Sequence, residues 1–545
     1  MSSRGFNFVA PIDRIFGSRA LRWTLLFLIL LLFAGIRYRL RAMPLERDEG
    51  EYAYAGQLLL QHIPPYVLAY NMKLPGTYVA YAVILSLFGQ SATGVHLGLI
   101  LVNVAAVLLV YGLAVRLFGY LAGLIAAASY ALLSTSDAVR GLAGHGTHFA
   151  VIPVLMGVLL LLRAEETRHR WLVLLSGLLL GLGYVMKQHA FFFILFGGLY
   201  LLWTGWKQGR GAGLLVRELG IFALGSALPF VLTCWWMWRA GVFTSFWFWT
   251  FSYAARYITN VPIWMAISYL KRALPGLVLP APAIWCLAGI GLLFLIGRAA
   301  RSRTFFLGSF FVFSLLTVCP GFYFRRHYFI LALPALSLLV ALAICAATEA
   351  LSGRTKSNLL AAVPLGVFVA AFAISVWHQR VLLFEADPTE AMNLSYSGTP
   401  FLAAPQLAAY IRQHTNDGDR IAVLGSEPEI YFYAHRHAAT GYIYTYPLME
   451  PQEYARSMQR EMIGEIEAER PAMLVFVNAY DSWIPQPGHE RLIFKWIDRY
   501  IGEQYIQVGT VDLTVPPAYR WGEAAAAPSH AKSQWTLDVY QRNRN

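Results

Sequence analysis

An acidic run with the order Arg47-Asp48-Glu49-Gly50-Glu51 is the strongest candidate for chemistry in this sequence. Three carboxylates within four positions, directly after an apolar segment, are costly beside a bilayer unless they are solvated or used. A carboxylate such as Asp48 suits general-base work, because it can accept the proton of an attacking hydroxyl. A structural alternative is equally open, in which Asp48 is the N-cap and Glu51 the third residue of a capping box for a helix over 49–61.

A lysine downstream of this run is the first candidate for holding an anion. Lys73 lies two residues before Pro75, and proline is typical of the first position of a helix. A lysine at a helix N-terminus adds its charge to free N–H groups and to the positive end of the helix dipole, which suits a phosphate. The alternative is an anchor lysine whose ammonium group simply reaches the membrane interface.

Two further polar clusters lie beside apolar segments later in the chain. One precedes a late apolar segment and consists of Arg325, Arg326, His327 and Tyr328. Arginine forks bind phosphate through two hydrogen bonds at once, whereas a tyrosine at this place is also a typical interface anchor. The other cluster contains Asp137 and Arg140, whose spacing of three residues also fits a simple ion pair.

Metal and nucleotide chemistry have little support in the sequence. His145 and His148 would face one way on a helix and could bind a metal, although no acidic partner is evident nearby. The sequence contains no Walker A, GxGxxG, GxSxG or HExxH motif. We therefore predict no metal site and no required cofactor, with a divalent cation left open, and we expect an energy-rich substrate that is carried by a lipid.

Most of the 545 residues must be dissolved in lipid. Hydrophobic residues make up 57% of the chain and charged residues only 13%, whereas a soluble protein carries about 25% charged residues. This composition excludes a soluble multidomain enzyme, a disordered protein and a fibrous one. The net charge of +13 is explained by basic loops on one side of a membrane, so no nucleic-acid partner is predicted. The four cysteines show no CxxC spacing and predict neither a disulfide framework nor a zinc site.

The apolar segments predict about eleven membrane spans plus one interfacial helix. The stretch 171–206 is too long for one span and is split by Lys187–His189, so we expect a hairpin. Segment 75–89 is short and begins with a Pro-Gly pair, which is typical of a helix that lies in the interface. If it does not span, four short basic linkers fall in the cytoplasm together with the N-terminus. These linkers are Arg163–Arg170, Lys207–Arg217, Arg298–Arg303 and Arg354–Lys356. Arg37 and Arg39, after the first span, are then expected to snorkel.

This topology predicts three regions: a cytoplasmic N-terminus over 1–22, a transmembrane catalytic domain over 23–378 whose first outer loop is 37–94, and a soluble domain on the outer side over 379–545. The composition changes near residue 380, and helical periodicity then alternates with short apolar runs. Such alternation is typical of a small α/β domain. Within it, we expect helices over Pro405–His414 and Glu450–Glu469, and strands over 420–424 and 473–477.

The order of these features along the chain resembles the GT-C glycosyltransferases, in particular the protein-mannosyltransferase-like group that includes aminoarabinose transferase. An Asp-Glu pair, Asp48 and Glu49, follows the first span, and the element Lys73-Leu74-Pro75 comes next. The Arg/His-Tyr group lies at the start of a late outer helix. The resemblance covers about residues 23–205, and more weakly 305–345.

The resemblance implies a polytopic α-helical membrane protein of GT-C type that takes a sugar from a polyprenyl-phosphate carrier and inverts its anomeric centre. By position, Asp48 would be the catalytic base with Glu49 beside it, and Lys73 would hold the carrier phosphate with help from one of the late arginines. A phosphate leaving group needs cations rather than a general acid, in contrast to the two carboxylates of a glycoside hydrolase. The predicted substrate-binding residues are Lys73, Asp137, Arg140, Arg325, Arg326, His327 and Tyr328.

The sequence thus predicts a hexosyl- or pentosyltransferase whose partners are a polyprenyl-phosphate-linked sugar, membrane lipid and an acceptor glycan, lipid or protein of the cell envelope. We expect it in a bacterial cytoplasmic membrane, with the N-terminus in the cytoplasm and the C-terminal domain in the periplasm or outside the cell. Two alternatives are a transporter or flippase of lipid-linked sugars and a non-catalytic membrane scaffold. A transporter typically has inverted repeats and polar residues near the midplane, and neither is evident here.

Overall fold

The computed structural model describes residues 18–296, 302–354, 357–526 and 534–543, and the chain divides into two compact units. The first, here called the membrane unit, comprises residues up to Arg39, His96–Trp236 and Tyr257–Ala386. The second, here called the sheet unit, comprises Leu40–Val95, Met237–Arg256 and Asp387–Asn545. Most of the predicted cytoplasmic N-terminus, residues 1–17, lies outside the described residues, as do parts of two of the basic linkers.

Long apolar helices make up most of the membrane unit. In the part of the chain that the structure describes, seven helices are long and apolar enough to cross a bilayer, and a bent pair adds an eighth if it counts as one span. The bent pair is Ile263–Val278 and Pro282–Ile296, with an angle of 113° between its helices. The seven helices are Arg19–Arg39, Ala92–Phe118, Gly146–Thr167, Gln188–Lys207, Ala212–Arg239, Leu333–Ser352 and Leu359–His378.

Three shorter apolar helices of 15–17 residues lie at further segments that were predicted to span. They are Tyr120–Thr135, Arg170–Met186 and Ser302–Leu316. The predicted hairpin is confirmed, because a short 3-10 turn at Gln188–Ala190 separates Arg170–Met186 from the next helix. One more apolar helix, Gly76–Phe88, has only 13 residues. At 1.5 Å per residue it reaches about 20 Å, which is too short for a hydrocarbon core of about 30 Å.

The helix Leu333–Ser352 forms the core of the membrane unit. Its residues from Leu333 to Ala346 are all buried, as expected for a helix that is apolar on every face. It packs against Tyr120–Thr135 and Pro282–Ile296. Gly291 permits the second of these contacts, because a Cβ atom there would lie only 2.0 Å from the carbonyl oxygen of Leu339. Small residues at such positions let helices approach closely inside a bilayer.

The sheet unit is built around a mixed six-stranded sheet. Its strands are β1 Arg420–Leu424, β2 His437–Ala438, β3 Met473–Asn478, β4 Tyr505–Asp512, β5 Ala518–Trp521 and β6 Thr536–Arg542. Their order in the sheet is β2-β1-β3-β6-β4-β5. β1 runs parallel to both β2 and β3, while the pairs of β3 with β6, β6 with β4 and β4 with β5 are antiparallel. The predicted strands at 420–424 and 473–477 are confirmed as β1 and β3.

Helices pack against this sheet. The two predicted helices of the C-terminal region are confirmed at Ala404–Gln413 and Ala455–Glu469. The helices described in the sheet unit include Arg47–Leu60, Gly76–Phe88, Phe243–Trp247, Pro388–Tyr396, Ala404–Gln413, Pro428–Ala434, Tyr446–Met449, Ala455–Glu469, Tyr480–Trp483, Leu492–Gln504 and Glu523–Ala526. A single-turn π-helix lies at Phe248–Tyr253.

The helix Arg47–Leu60, here called the acidic helix, packs in the sheet unit and not among the spans. The sequence placed it in the outer loop 37–94 of a transmembrane domain, whereas the structure groups Leu40–Val95 with the C-terminal region. The contacts explain this grouping. The acidic helix packs against Pro428–Ala434, and the Tyr54 hydroxyl accepts the backbone N–H of Ala438 at 2.8 Å.

Gly50 allows the close approach of the acidic helix to Pro428–Ala434, so Gly50→Ala is expected to destabilise the sheet unit. A Cβ atom at Gly50 would lie 2.6 Å from both the backbone nitrogen and the Cβ of Glu429. Backbone cannot yield as a flexible side chain would, and we expect a loss of about 1–3 kcal/mol in the free energy of unfolding. Thermal unfolding in detergent measures this change.

Gly464→Ala is the matched control for that prediction. Gly464 lies inside the helix Ala455–Glu469, and a Cβ atom there would meet nothing within 4 Å. Alanine at this position should stabilise the protein by up to about 1 kcal/mol. Equal effects of the two substitutions would contradict the close contact at Gly50.

Candidate active site

The acidic helix begins with a capping box made by two glutamates. The N-cap residue is Glu46, whose Oε1 accepts the N–H of Glu49 at 3.0 Å, while Glu49 Oε2 accepts the N–H of Glu46 at 3.3 Å. The predicted box of Asp48 and Glu51 is therefore wrong, because the chain is already helical at Arg47. The carboxylate of Glu49, which the sequence placed beside the catalytic base, is fully buried and serves the start of the helix.

Lys73 joins the other two carboxylates of the acidic run. Its Nζ lies 2.7 Å from Asp48 Oδ1 and 2.5 Å from Glu51 Oε2. Asp48 and Glu51 are three residues apart on the helix and therefore point to the same side. Glu51 also accepts the hydroxyl of Tyr78 at 2.6 Å and is fully buried. Since 20% of the Asp48 side chain is exposed, Asp48 is the acid of this pair that a substrate can reach.

Two neighbouring carboxylates keep Lys73 protonated in spite of its burial. Burial alone would lower the pKa of Lys73, but the carboxylates of Asp48 and Glu51 outweigh it and raise that pKa well above its ordinary value. Burial raises the pKa of Glu51, and the ammonium group of Lys73 opposes this rise. A buried carboxylate without its cation is strongly destabilising. The cluster therefore depends on a lysine that is charged at every physiological pH.

The loop before Pro75 fixes the position of Lys73. Tyr66 donates its hydroxyl to the backbone carbonyl of Lys73 at 2.7 Å, and its buried ring contacts the ring of Phe246. Pro75 is the N-cap of Gly76–Phe88 and not its first residue. The structure pairs the ammonium group with carboxylates, a contact that the predicted site at a helix N-terminus did not include.

Residues beyond position 420 hold the start of the acidic helix. Tyr444 donates its hydroxyl to Asp48 Oδ1 at 3.0 Å. Arg47 forms an ion pair with the buried Glu427 at 3.0 Å and donates its Nε to the carbonyl oxygen of Ser426 at 2.5 Å. The C-terminal region thus contributes directly to the surroundings of the candidate catalytic carboxylate.

Two members of this cluster were not predicted from the sequence. Glu51 lies in the same acidic run as Asp48, and a helical projection that pairs residues three apart would have placed the two together. Tyr444 lies in a tyrosine-rich run over 441–447. Nothing in the sequence relates that run to the acidic helix, whose Asp48 lies 396 positions before Tyr444.

In the membrane unit, Asp137 holds two arginines. Its Oδ1 accepts Arg140 Nη1 at 2.7 Å, and its Oδ2 accepts Arg326 Nη1 at 3.3 Å. The predicted pair of Asp137 and Arg140 is confirmed, although it closes a 3-10 turn at Asp137–Val139 and not an α-helix. All three side chains are partly exposed. The structure thus brings three of the predicted substrate-binding residues together.

Arg37 fixes the loop that carries Asp137. It donates Nη1 to the carbonyl oxygen of Gly141 at 2.8 Å and Nη2 to that of Ser134 at 2.7 Å. The predicted snorkelling of Arg37 is wrong, because its side chain is only 5% exposed. Arg39 likewise donates to backbone carbonyl groups. Both guanidinium groups find acceptors inside the protein, which avoids the cost of an unsatisfied buried charge.

Two other residues of the cluster at positions 325–328 form contacts between a cation and an aromatic ring. The guanidinium carbon of Arg325 lies 5.6 Å from the centre of the Tyr323 ring. Tyr328 is buried, and the Nζ of Lys187 lies 5.3 Å from the centre of its ring. Arg326, one of the two arginines that were expected to help bind phosphate, is joined to the carboxylate of Asp137.

The two histidines of the predicted metal alternative lie at the start of one helix. His145 is the N-cap of Gly146–Thr167 and His148 lies in its first turn; both are buried. The ring of His145 stacks on that of His327, with their centres 4.2 Å apart. Among the described residues, no third histidine, cysteine or carboxylate completes a ligand set that contains both His145 and His148.

Comparison by sequence gives one family match. Residues 73–238 match the model of a family described as dolichyl-phosphate-mannose-protein mannosyltransferase. This segment, well under half of the chain, contains Lys73, Asp137 and Arg140 but neither the acidic run nor the late arginines. No curated protein matches the chain by sequence.

Comparison by structure extends over most of the chain. The structure of ArnT from Cupriavidus metallidurans bound to undecaprenyl phosphate is similar with a TM-score of 0.57 and 15% identity, covering 96% of this chain and 98% of that one. The Archaeoglobus fulgidus oligosaccharyltransferase tethered to an acceptor peptide gives a TM-score of 0.53 and 12% identity, covering 94% of this chain and 75% of that one. The archaeal oligosaccharyltransferase AglB from Archaeoglobus fulgidus, in complex with an inhibitory peptide and a dolichol-phosphate, gives a TM-score of 0.51 and 12% identity, covering 95% of this chain and 76% of that one.

These likenesses lie between 12% and 15% identity and establish the fold. They agree with the predicted resemblance to the GT-C group, which the family match supports independently over its own segment. The chain is a multi-pass α-helical membrane protein of GT-C type with an α/β region at its C-terminal end.

Proposed function

We propose that the protein is an inverting glycosyltransferase that moves a hexose or pentose from a polyprenyl-phosphate carrier to an acceptor of the cell envelope. One observation carries the proposal: a reachable carboxylate, Asp48, lies beside a permanently charged lysine, Lys73, in the sheet unit of a fold that ArnT shares. ArnT was solved with undecaprenyl phosphate, and the archaeal enzyme of the same fold with a dolichol-phosphate. Both ligands are lipid phosphates.

The reaction divides between the carboxylate and the ammonium group. Asp48 accepts the proton of the acceptor hydroxyl as the acceptor oxygen bonds to the anomeric carbon. The bond between that carbon and the phosphate oxygen breaks, and polyprenyl phosphate leaves with the electron pair. Because phosphate is already a good leaving group, it needs a nearby cation and no proton donor. Lys73 supplies this charge.

The remaining residues support this division of roles. Glu51 fixes Lys73 in place, and Glu49 stabilises the helix start, so Asp48 alone is assigned as the catalytic residue. The partly exposed arginines that Asp137 holds, Arg140 and Arg326, are proposed to bind an acidic group of the donor or acceptor. The assignments of Arg325, His327 and Tyr328 to substrate binding stay predictions.

A location follows from the charge distribution of the sequence. The short basic linkers between apolar helices favour a cytoplasmic position for themselves and for the N-terminus. We therefore propose a bacterial cytoplasmic membrane, with the sheet unit on the outer face, where lipid-linked sugars and envelope acceptors meet. Membrane lipid surrounds the exposed apolar side chains of the spans.

A donor screen tests the function. The purified protein in lipid nanodiscs is given undecaprenyl phosphate carrying one of several neutral or amino-substituted hexoses and pentoses, together with an extract of envelope glycans and lipids. Release of free undecaprenyl phosphate, followed by mass spectrometry, is the expected result with at least one donor. No release from any donor, combined with no binding of undecaprenyl phosphate, overturns the proposal. Movement of an intact donor across proteoliposomes would instead identify a transporter.

A further inference from the structure

We propose that Tyr444 is a positioning residue that orients the carboxylate of Asp48 for proton transfer, so that the C-terminal region completes the active site. The role of Asp48 rests on the proposed function, whereas the contact between the two residues rests on the geometry of the sheet unit alone. Nothing in the sequence assigns a role to Tyr444.

The contact is specific in its atoms. The Tyr444 hydroxyl lies 3.0 Å from Asp48 Oδ1, and Lys73 Nζ lies 2.7 Å from the same oxygen. The Tyr444 ring also faces the ammonium group, whose nitrogen lies 5.3 Å from the ring centre. Tyr444 therefore contacts both the proposed base and the proposed phosphate-binding cation. Two donors on one carboxylate oxygen restrict the rotation of the Asp48 side chain.

The phenol of Tyr444 stays protonated and must donate. Burial raises the pKa of Tyr444 well above its ordinary value, and the negative charges of Asp48 and Glu51 raise it further. An ionised carboxylate can only accept hydrogen bonds. A hydrogen bond that is donated to the charged form of an acid stabilises that form. Tyr444 thus helps to keep Asp48 ionised, as a base must be before the acceptor arrives.

Neighbouring backbone contacts hold Tyr444 in place. The carbonyl oxygen of Gly441 accepts the N–H of Tyr70 at 2.7 Å. On the other side, Thr445 donates its N–H to Ser426 Oγ at 3.0 Å and its hydroxyl to the carbonyl oxygen of Ser482 at 2.9 Å. A functional group is precise only when its own supports are rigid. The tyrosine is held on both sides, which fits a positioning role.

The test compares Tyr444→Phe with the matched control Tyr442→Phe. The hydroxyl of Tyr442, two residues earlier in the same run, donates to Glu461 at 2.6 Å and so loses an unrelated bond. A hydrophobic carbodiimide reacts with protonated carboxyl groups, and peptide mass spectrometry follows its addition to Asp48 across pH. Tyr444→Phe should move the midpoint of labelling upward by about one pH unit. Tyr442→Phe should keep the wild-type midpoint.

An unchanged midpoint in a folded Tyr444→Phe variant overturns the proposal. Should that variant not fold, fluorotyrosine at position 444 provides the second test. It keeps the ring and the hydroxyl but is a stronger hydrogen-bond donor, so the midpoint should move downward. A midpoint that does not respond to fluorotyrosine also overturns the proposal.

Kinetics separate this proposal from the proposed function. With a donor that turns over, Tyr444→Phe should lower kcat about tenfold, less than the full effect of a general base, and leave the donor KM within about twofold. The acid limb of its pH–rate profile should follow the labelling midpoint. In the Asp48→Asn background the same substitution should cause no further loss. If no donor turns over, the proposed function fails, while the labelling shift still decides the tyrosine contact.

Discussion

Asp48→Asn is expected to abolish sugar transfer while binding of the carrier persists. Asparagine has the shape of aspartate and can still accept hydrogen bonds from Lys73 and Tyr444, so the local structure should survive. It cannot accept a proton from the acceptor hydroxyl, and loss of a general base typically lowers kcat by about 10²–10⁴-fold. The measurements are release of undecaprenyl phosphate from the donor and direct binding of undecaprenyl phosphate to the purified variant.

Glu49→Gln is the matched control for this prediction. Its carboxylate accepts the N–H of Glu46 at the helix start, and glutamine is equally suited to this position of a capping box. We expect turnover close to that of the wild type. If Asp48→Asn kept its turnover, Asp48 would lose the role of base. If Glu49→Gln lost as much turnover as Asp48→Asn, Glu49 would also take part in catalysis.

Lys73→Met is expected to weaken both the fold and the affinity for the carrier. The substitution leaves the carboxylate of Glu51, which is fully buried, without its cation. Removal of one partner of a buried ion pair typically costs about 3–5 kcal/mol. Thermal unfolding and binding of undecaprenyl phosphate measure the two effects. Lys495→Met, at an exposed position of the helix Leu492–Gln504, should change neither.

The pH dependence of the stability of Lys73→Met identifies the carboxylate that destabilises this variant. Burial already raises the pKa of Glu51 in the folded protein, and loss of the opposing charge of Lys73 raises it further. A group whose pKa is higher in the folded than in the unfolded state favours folding as it takes up a proton. Lys73→Met should therefore regain stability as the pH falls from the folded pKa of Glu51 toward its lower unfolded pKa.

Glu51→Gln in the Lys73→Met background separates folding from binding. The double variant has no buried carboxylate to compensate, so both the loss of stability and its pH dependence should disappear. The affinity for undecaprenyl phosphate should stay low, because the cation is still missing. A double variant as unstable as Lys73→Met would show that Glu51 is not the group that needs the lysine.

The membrane helices could be predicted because composition alone determines them. A segment such as Leu333–Ser352 is apolar on every face, and no tertiary contact is needed to recognise it. The strands β1 and β3 were equally recognisable, since both are short apolar runs that end at polar residues. The strands β4, β5 and β6 were not predicted. Polar residues such as the exposed Gln507 and the half-buried Arg520 interrupt them, and no continuous apolar run marks them.

The candidate site was predicted in part. Asp48 and Lys73 stand out by charge and by their place after the first span, whereas the choice between Glu49 and Glu51 depends on where the helix begins. The helix begins one residue after Glu46. That start uses the carboxylate of Glu49 and turns Glu51 toward Lys73. Helix boundaries are the least certain feature of any sequence pattern, and a helix that began two residues later would use Glu51 in the capping box in place of Glu49.

No local sequence pattern predicts the contacts between the C-terminal region and the acidic helix. The predicted boundary near residue 380 follows a real change of composition, yet the acidic helix packs with segments on the far side of it. In the sequence, Arg47 is part of a charged run, and Glu427 is a single acidic residue before a proline. In the structure the two form an ion pair in which Glu427 is buried. Only pairing in three dimensions relates two such residues.

The hydrogen bond between Asp48 and Tyr444 joins residues that are 396 positions apart, and this separation sets an order of events during biosynthesis. At about 5–20 residues per second, the ribosome needs on the order of 20–80 s to reach the tyrosine after it has made the aspartate. The spans are synthesised in that interval. A nascent chain halted before position 444 would carry a base and a lysine without their third partner. Ribosome-stalled chains of increasing length should therefore acquire donor turnover only after this late segment has emerged.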